Sequence, residues 1–113
     1  MAAFCQALCE AAAGTGLFPV AGLRVRASAA NYFQIADGDP NHGFVDISIR
    51  LGAGRSHDNK LFASEQIFHA AQEACADLLA STPFLLSLEM REIDPDLSLK
   101  VSSIRKYLPE DLH

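Results

Sequence analysis

The sequence predicts an α+β (α/β) fold that is assembled from βαβ units. Three observations lead to this prediction. Apolar and polar residues alternate over positions 44–51, helical periodicity runs over positions 57–79, and a second apolar run covers positions 84–91. Strict alternation is typical of a strand, and an apolar stripe that repeats about every 3.6 residues is typical of a helix. A strand, a long helix and a strand in this order predict two parallel strands joined by a right-handed crossover.

The amino-terminal half is predicted to begin with a helix. Positions 2–13 are rich in alanine, which favours a helix, and Gly14 is placed to end it. Its inward face is expected to carry Phe4, Leu8 and Ala11 or Ala12.

Strand patterns follow this helix. Positions 23–28 alternate between apolar and polar residues, so Leu23, Val25 and Ala27 are expected to face inward. A further short strand is expected at positions 31–35, before a loop or hairpin at the turn-rich positions 36–43. The helix at positions 2–13 and the strand at positions 23–28 correspond to a βαβ unit that lacks its opening strand. Together with the βαβ unit of the second half, they predict a doubled βαβ fold with the first strand missing. Its helices should cover one face of a mixed sheet.

The second half gives the clearest signals. Ser56 is a suitable N-cap for the long helix, and Asp58 complements the positive end of the helix dipole. The strand before the helix is expected to point Val45, Ile47, Ile49 and Leu51 inward. The apolar stripe of the helix is expected to consist of Leu61, Phe68, Ala71, Cys75 and Leu78 or Leu79. Positions 101–108 are expected to form a short amphipathic helix or turn against a neighbouring chain.

Composition narrows the function classes. The chain has 113 residues, a net charge of −5 and 50% hydrophobic residues, with no cluster of Lys and Arg. A nucleic-acid partner is not expected without a basic patch, and part of the apolar surface is expected to meet another subunit. No stretch approaches membrane-spanning length and the amino terminus does not resemble a signal peptide, so we expect a soluble cytoplasmic protein with one domain over residues 1–113.

The three cysteines do not suggest a metal site. Cys5 and Cys9 lie one helical turn apart and Cys75 stands alone, so no C-x-x-C pair exists and two further ligands are missing. We expect buried or half-buried free thiols and no metal or cofactor.

The segment at positions 52–56, Gly-Ala-Gly-Arg-Ser, is the strongest candidate for a binding site. It joins a predicted strand to a predicted helix, where free backbone N–H groups and the helix dipole attract anions and Arg55 adds a charged, forked donor. Arg24 follows the first helix, and two arginines facing one pocket would suit a substrate with carboxylates. Arg26 and Arg50 are expected to be structural or interfacial, and His57 is expected to be a solvated residue of the first helical turn.

Several stretches together resemble a known family. These are TGLFPVAGLR at positions 15–24, QIADG at 34–38 and IRLGAGRS at 49–56, with SLEM at 87–90 and DPDL at 94–97. They are similar to the 5-carboxymethyl-2-hydroxymuconate Δ-isomerase family of the tautomerase superfamily, and the similarity covers nearly the whole chain.

The resemblance implies a cofactor-independent isomerase that forms a homotrimer of doubled βαβ subunits. It implies proton transfer within an unsaturated, carboxylate-bearing ring-cleavage product of homoprotocatechuate. On matching positions Arg24 and Arg55 would be the catalytic arginines, which hold the substrate carboxylates and stabilise the dienolate. The family's general base is an amino-terminal proline, whose amine is neutral in an apolar pocket because desolvation disfavours its charged form.

The chain departs from the family pattern at its amino terminus. It begins Met1-Ala2-Ala3, and roughly 15 residues of strand and turn that a complete βαβ unit needs are missing. All five prolines are internal, so their nitrogens are amides. We therefore expect residues 1–113 to be inactive or very weak as an isomerase. A non-catalytic trimeric binding or structural module of the same fold, and an unrelated dimeric α+β barrel, are the alternatives.

Overall fold

Two long helices and two strands form the framework of the protein. A computed structural model describes residues 1–112. In chain order the elements are helix α1 (Ala2–Gly14), strand β1 (Gly43–Gly52), helix α2 (His57–Ala74), the short helix α3 (Ala76–Ser81) and strand β2 (Phe84–Ile93). Single turns of 3-10 helix occupy Val20–Gly22, Arg105–Tyr107 and Glu110–Leu112.

Strands β1 and β2 form a parallel pair, which confirms the predicted βαβ unit. Their register runs from Gly43 opposite Phe84 to Gly52 opposite Ile93. Each strand extends the predicted run by one or two residues. In the part of the chain that the structure describes, these two strands are the whole sheet.

Both helices pack on one face of the sheet, as predicted. Leu8 and Ala12 of α1 and Ile67 and Ala71 of α2 form one buried cluster. The sheet side chains that contact this cluster are Ile47, Ile49, Leu86 and Leu88. The alternation of β1 therefore sorts its side chains as expected, with the odd-numbered residues from Val45 to Leu51 turned toward the helices.

The other face of the sheet carries no helix and is mostly polar. Ser87 donates a hydrogen bond to Asp46 across the strands at 2.8 Å, and Arg50 stands opposite Arg91 in the register. Leu85 is 60% exposed beside Phe44 at the amino-terminal end of the pair.

The predictions of strands at positions 23–28 and 31–35 are wrong. Residues 23–28 form no strand, Val25 is 37% exposed, and Ala27 is also exposed, although Leu23 keeps a half-buried position against the core. A strand is stable only beside a hydrogen-bonded neighbour, and neither β1 nor β2 pairs with this segment in residues 1–112. The expected mixed sheet is therefore replaced by the parallel pair.

The long helix differs from its prediction in two ways. It is interrupted at Cys75, whose φ of −101° and ψ of 11° leave the helical range, and α3 then continues to Ser81. Its buried stripe is Ala63, Ile67, Ala71 and Cys75, whereas Leu61, Leu78 and Leu79 are exposed. Ile67 and Ala71 of this stripe pack against Leu8 and Ala12 of α1, so the stripe faces the core and the leucines lie outside it.

The end of α1 also differs in detail. The helix ends at Gly14, as predicted, but the left-handed conformation falls on Gly16, with φ of 72°. The Thr15 hydroxyl donates to the carbonyl of Ala12 at 2.7 Å and satisfies one of the terminal carbonyls. No helix within residues 1–112 has both the length and the apolar character needed to cross a membrane.

Substitutions on α2 test which stripe forms the core. Ile67 is 4% exposed and Leu61 is 49% exposed. We expect Ile67→Ala to lower the free energy of unfolding by about 2–4 kcal/mol because it leaves a cavity. Leu61→Ala, the matched control, should change it by less than about 0.5 kcal/mol. Urea unfolding followed by circular dichroism measures both, and a larger loss for Leu61→Ala than for Ile67→Ala would contradict the observed stripe.

Candidate active site

The turn between β1 and α2 brings a glycine and an arginine to the end of the sheet. Leu51, the last inward residue of β1, is buried and anchors the strand end. The chain then reverses through Gly54, whose φ of 111° is a conformation that residues with a Cβ rarely adopt. Gly52 has no such conformation, and a Cβ there would make only an ordinary contact with Arg55. Of the two glycines in the motif, Gly54 is the one that the turn requires.

Ser56 starts α2 as the sequence predicts. Its backbone is extended, and its hydroxyl accepts a hydrogen bond from the backbone N–H of Asn59 at 3.1 Å. Asp58 lies in the first turn, where the helix dipole favours a negative charge. The cap fixes where the helix begins and therefore fixes the position of Arg55 directly before it.

Arg55 reaches across the molecule to the segment that follows α1. Its Nε donates to the carbonyl oxygen of Leu17 at 3.0 Å, and its Nη1 donates to the carbonyl oxygen of Gly52 at 3.0 Å. Its guanidinium carbon lies over the Phe18 ring, 5.4 Å from the ring centroid. The arginine is half-buried, so it is not the solvated surface residue that an isolated Gly-x-Gly-Arg motif would suggest.

The Arg55 charge has no acidic partner among residues 1–112. Carbonyl oxygens satisfy two of its nitrogens without neutralising it, and Nη2 makes no hydrogen bond within those residues. A guanidinium that is fixed in place and still carries its full charge can bind one oxygen of a carboxylate. The geometry therefore suits an anion at this turn.

The segment that receives Arg55 is itself fixed by local bonds. The left-handed Gly16 turns the chain after α1, and the N–H of Leu17 donates to the Thr15 hydroxyl at 3.3 Å. Pro19 then precedes the 3-10 turn Val20–Gly22, in which the N–H of Gly22 donates to the Pro19 carbonyl at 3.0 Å. The Leu17 carbonyl and the Phe18 ring are thereby presented to Arg55.

Arg24 lies just beyond that 3-10 turn. Its side chain is exposed and makes no hydrogen bond or ion pair with residues 1–112. The structure links Arg55 to Leu17 and Phe18, on the same segment as Arg24, but records no residue that contacts both arginines. The convergence of Arg24 and Arg55 on one ligand remains a prediction.

An ion pair between Lys60 and Glu92 lies at the same end of the sheet. The sequence analysis did not predict it. The Lys60 ammonium lies 2.5 Å from the Glu92 carboxylate, which joins the first turns of α2 to the end of β2. Glu92 stands opposite Leu51 in the register, directly before the Arg55 turn. A contact between residues 32 positions apart has no local sequence signal.

The remaining candidates lie apart from this turn. His57 is exposed and unpaired within residues 1–112, in agreement with its expected solvated role. Arg50 lines a cleft of about 360 Å³ on the helix-free side of the sheet, which also contains Arg91, Glu92 and Asp94 but not Arg24 or Arg55. Among residues 1–112, no three His, Cys, Asp or Glu side chains come together in a way that could hold a metal ion.

Among the titratable groups of residues 1–112, two have a shifted pKa, and neither contacts Arg55. The backbone N–H of Asp39 and the His42 ring, 2.7 Å away, lower the pKa of the Asp37 carboxyl in the exposed loop before β1. Burial raises the pKa of the Cys75 thiol, while Cys5 and Cys9 are half-buried free thiols. The Cys75 thiol therefore stays protonated near neutral pH and acts as a small apolar side chain.

Solved structures share this arrangement of helices and strands. The crystal structure of a 5-carboxymethyl-2-hydroxymuconate Δ-isomerase matches 95% of this chain and 81% of its own, with a TM-score of 0.83 at 27% identity. The structure of a 5-carboxymethyl-2-hydroxymuconate isomerase from Deinococcus radiodurans R1 matches 92% of this chain and 83% of its own, with a TM-score of 0.82 at 27% identity. The fold defines this protein as an α+β isomerase of the tautomerase class.

The family follows from the sequence comparisons. The family model for 5-carboxymethyl-2-hydroxymuconate isomerase matches residues 1–108. The 5-carboxymethyl-2-hydroxymuconate Δ-isomerase of Escherichia coli is 35% identical over 92 residues, which are 81% of this chain and 73% of that protein. The chain belongs to the 5-carboxymethyl-2-hydroxymuconate isomerase family.

The two glycines of the turn provide a matched pair of substitutions. Gly54→Ala should lower the free energy of unfolding by about 1–2 kcal/mol, because alanine is strained at the positive φ of Gly54. Gly52→Ala should be nearly neutral, since its Cβ has room. Thermal unfolding of the two variants measures the difference. Equal losses in the two variants would contradict the observed turn.

Proposed function

We propose that this protein is an isomerase that moves a proton within 5-carboxymethyl-2-hydroxymuconate or a closely related muconate that carries several carboxylates. Its family membership supports the reaction, and the fixed guanidinium of Arg55 is the observation that carries the assignment of the site. The reaction shifts one proton between two positions of a conjugated enol and needs no other reactant. The protein must therefore bind the carboxylates and stabilise the negative charge that develops between the two proton transfers.

Arg55 is proposed to bind one substrate carboxylate through Nη2. With Nε and Nη1 occupied by carbonyl oxygens, the guanidinium does not have to reorganise when the charge develops. Its half-buried position lowers the effective dielectric constant around the contact and strengthens it relative to an exposed pair.

Arg24 is proposed as the second arginine of the site. It has no partner within residues 1–112 and follows the segment that holds the Arg55 side chain. The substrate carries three carboxylates, and two guanidinium groups that bind two of them at different positions would fix its orientation.

The proton acceptor is proposed to be a proline amine at an amino terminus, as the family resemblance implies. None of Pro19, Pro40, Pro83, Pro95 and Pro109 can supply it, because an internal proline nitrogen is an amide without basicity. Arg24 and Arg55 would then supply binding and charge stabilisation. No cofactor or metal is required for this chemistry.

The assembly is proposed to be a homotrimer in the cytoplasm that acts in the breakdown of homoprotocatechuate. Large apolar side chains remain exposed on the single chain, including Phe33 at 60%, Leu97 at 84% and Leu99 at 97%. Exposed apolar surface of this extent favours burial against further copies.

The test compares residues 1–113 with a chimera in which an added first strand, beginning with the proline that the family resemblance implies, precedes them. Ketonisation of 5-carboxymethyl-2-hydroxymuconate, followed by absorbance, is expected from the chimera and expected to be very weak from residues 1–113. Arg55→Ala in the chimera should lower kcat/KM by the equivalent of about 2–4 kcal/mol, because the charge of the intermediate loses its donor.

Arg26→Ala is the matched control, since Arg26 is exposed and has no partner within residues 1–112. It should leave kcat/KM within about twofold of the unsubstituted chimera. A folded chimera that binds 5-carboxymethyl-2-hydroxymuconate without converting it would contradict the isomerase proposal and indicate a binding module. Equal losses for Arg26→Ala and Arg55→Ala would contradict the role of Arg55.

A further inference from the structure

The Phe18 ring lies between the hydrophobic core and the Arg55 guanidinium. It is half-buried and packs against the cluster formed by residues of α1 and α2. Arg55 lies over the ring, with its guanidinium carbon 5.4 Å from the ring centroid. A ring that is fixed by the core provides a rigid surface for the cation that lies over it.

Three contacts together determine the orientation of Arg55. The hydrogen bonds to Leu17 and Gly52 fix two nitrogens of the guanidinium, and the Phe18 ring lies against the group as a third contact. Leu17 and Phe18 are consecutive, so one short segment supplies both a hydrogen-bond acceptor and a ring contact. Movement of this segment would therefore move Nη2, the nitrogen without a partner in residues 1–112.

We propose that Phe18 is a positioning residue that holds the Arg55 guanidinium so that a carboxylate is bound through Nη2. The inference rests on the proposed function for the identity of the ligand, but the positioning of Arg55 is measurable without it. Phe18 has one role as an apolar side chain that packs against the core. Its second role, the positioning of Arg55, follows from the contact between the ring face and the guanidinium.

Two variants of Phe18 separate positioning from packing. Phe18→Tyr keeps the aromatic face, and Phe18→Leu keeps an apolar side chain without a ring. A third variant, Arg55→Lys, removes the Nε–H group and thereby assigns its resonance. Spectra of protein labelled with ¹⁵N-arginine report the Nε–H group of Arg55 directly. Unfolding midpoints of all variants show that each one folds.

In the unsubstituted chain and in Phe18→Tyr, we expect the Arg55 Nε–H proton to be shifted upfield by the ring and to exchange slowly because Leu17 accepts it. In Phe18→Leu the upfield shift should disappear and exchange should become faster. Binding of adipate, the dicarboxylate used as the probe, should weaken about twofold to fivefold in Phe18→Leu and remain unchanged in Phe18→Tyr.

Other results would separate the two proposals. The positioning role is overturned if Phe18→Tyr loses the upfield shift and the slow exchange as fully as Phe18→Leu does. It is also overturned if a folded Phe18→Leu keeps both of them, or if Phe18→Leu loses both without any change in adipate affinity. If the upfield shift and the slow exchange behave as expected but the unsubstituted chain does not bind adipate, the positioning of Arg55 stands and the proposed binding of a carboxylate substrate at this site fails.

Discussion

The Arg55 side chain connects the two halves of this protein. It extends from the turn after β1 to the Leu17 carbonyl, 38 positions earlier in the chain, and lies over Phe18. Carbonyl oxygens and a ring face hold the guanidinium without neutralising its charge, whereas a carboxylate partner would hold it and neutralise it. This contact between the halves therefore leaves a fixed positive charge available for a ligand.

The sequence predicts the second half of the fold well because its signals are local. Alternation in β1, the Ser56 cap and the apolar run of β2 each act over a few residues, and the parallel pairing follows from their order. The predicted strand at positions 23–28 failed because alternation does not supply a hydrogen-bonded neighbour. The stripe on α2 was predicted correctly at Ala71 and Cys75 but wrongly at the leucines. Which further residues are buried depends on packing against α1 and the sheet, and large apolar side chains alone do not indicate this.

The candidate site was only partly predictable. The Gly-Ala-Gly-Arg-Ser motif identified Arg55 because a strand end, a positive-φ glycine and a helix cap occur together there. Phe18 and the Leu17 carbonyl could not be assigned, since their contacts with Arg55 depend on how the two halves meet. The same holds for Lys60 and Glu92, which fix the start of α2 beside the end of β2. Arg24 was singled out by its position after the first helix and assigned a catalytic role by the resemblance, and its exposed position is compatible with that proposed role.

A crystal structure of the protein with a bound dicarboxylate tests the central claim most directly. We expect one carboxylate oxygen within about 2.7–2.9 Å of Arg55 Nη2, with the bond from Nε to the Leu17 carbonyl intact. We also expect the second carboxylate to contact Arg24. A ligand held in the cleft of Arg50 and Arg91, or an Arg55 side chain that leaves Leu17 and Phe18 to reach the ligand, would contradict the account.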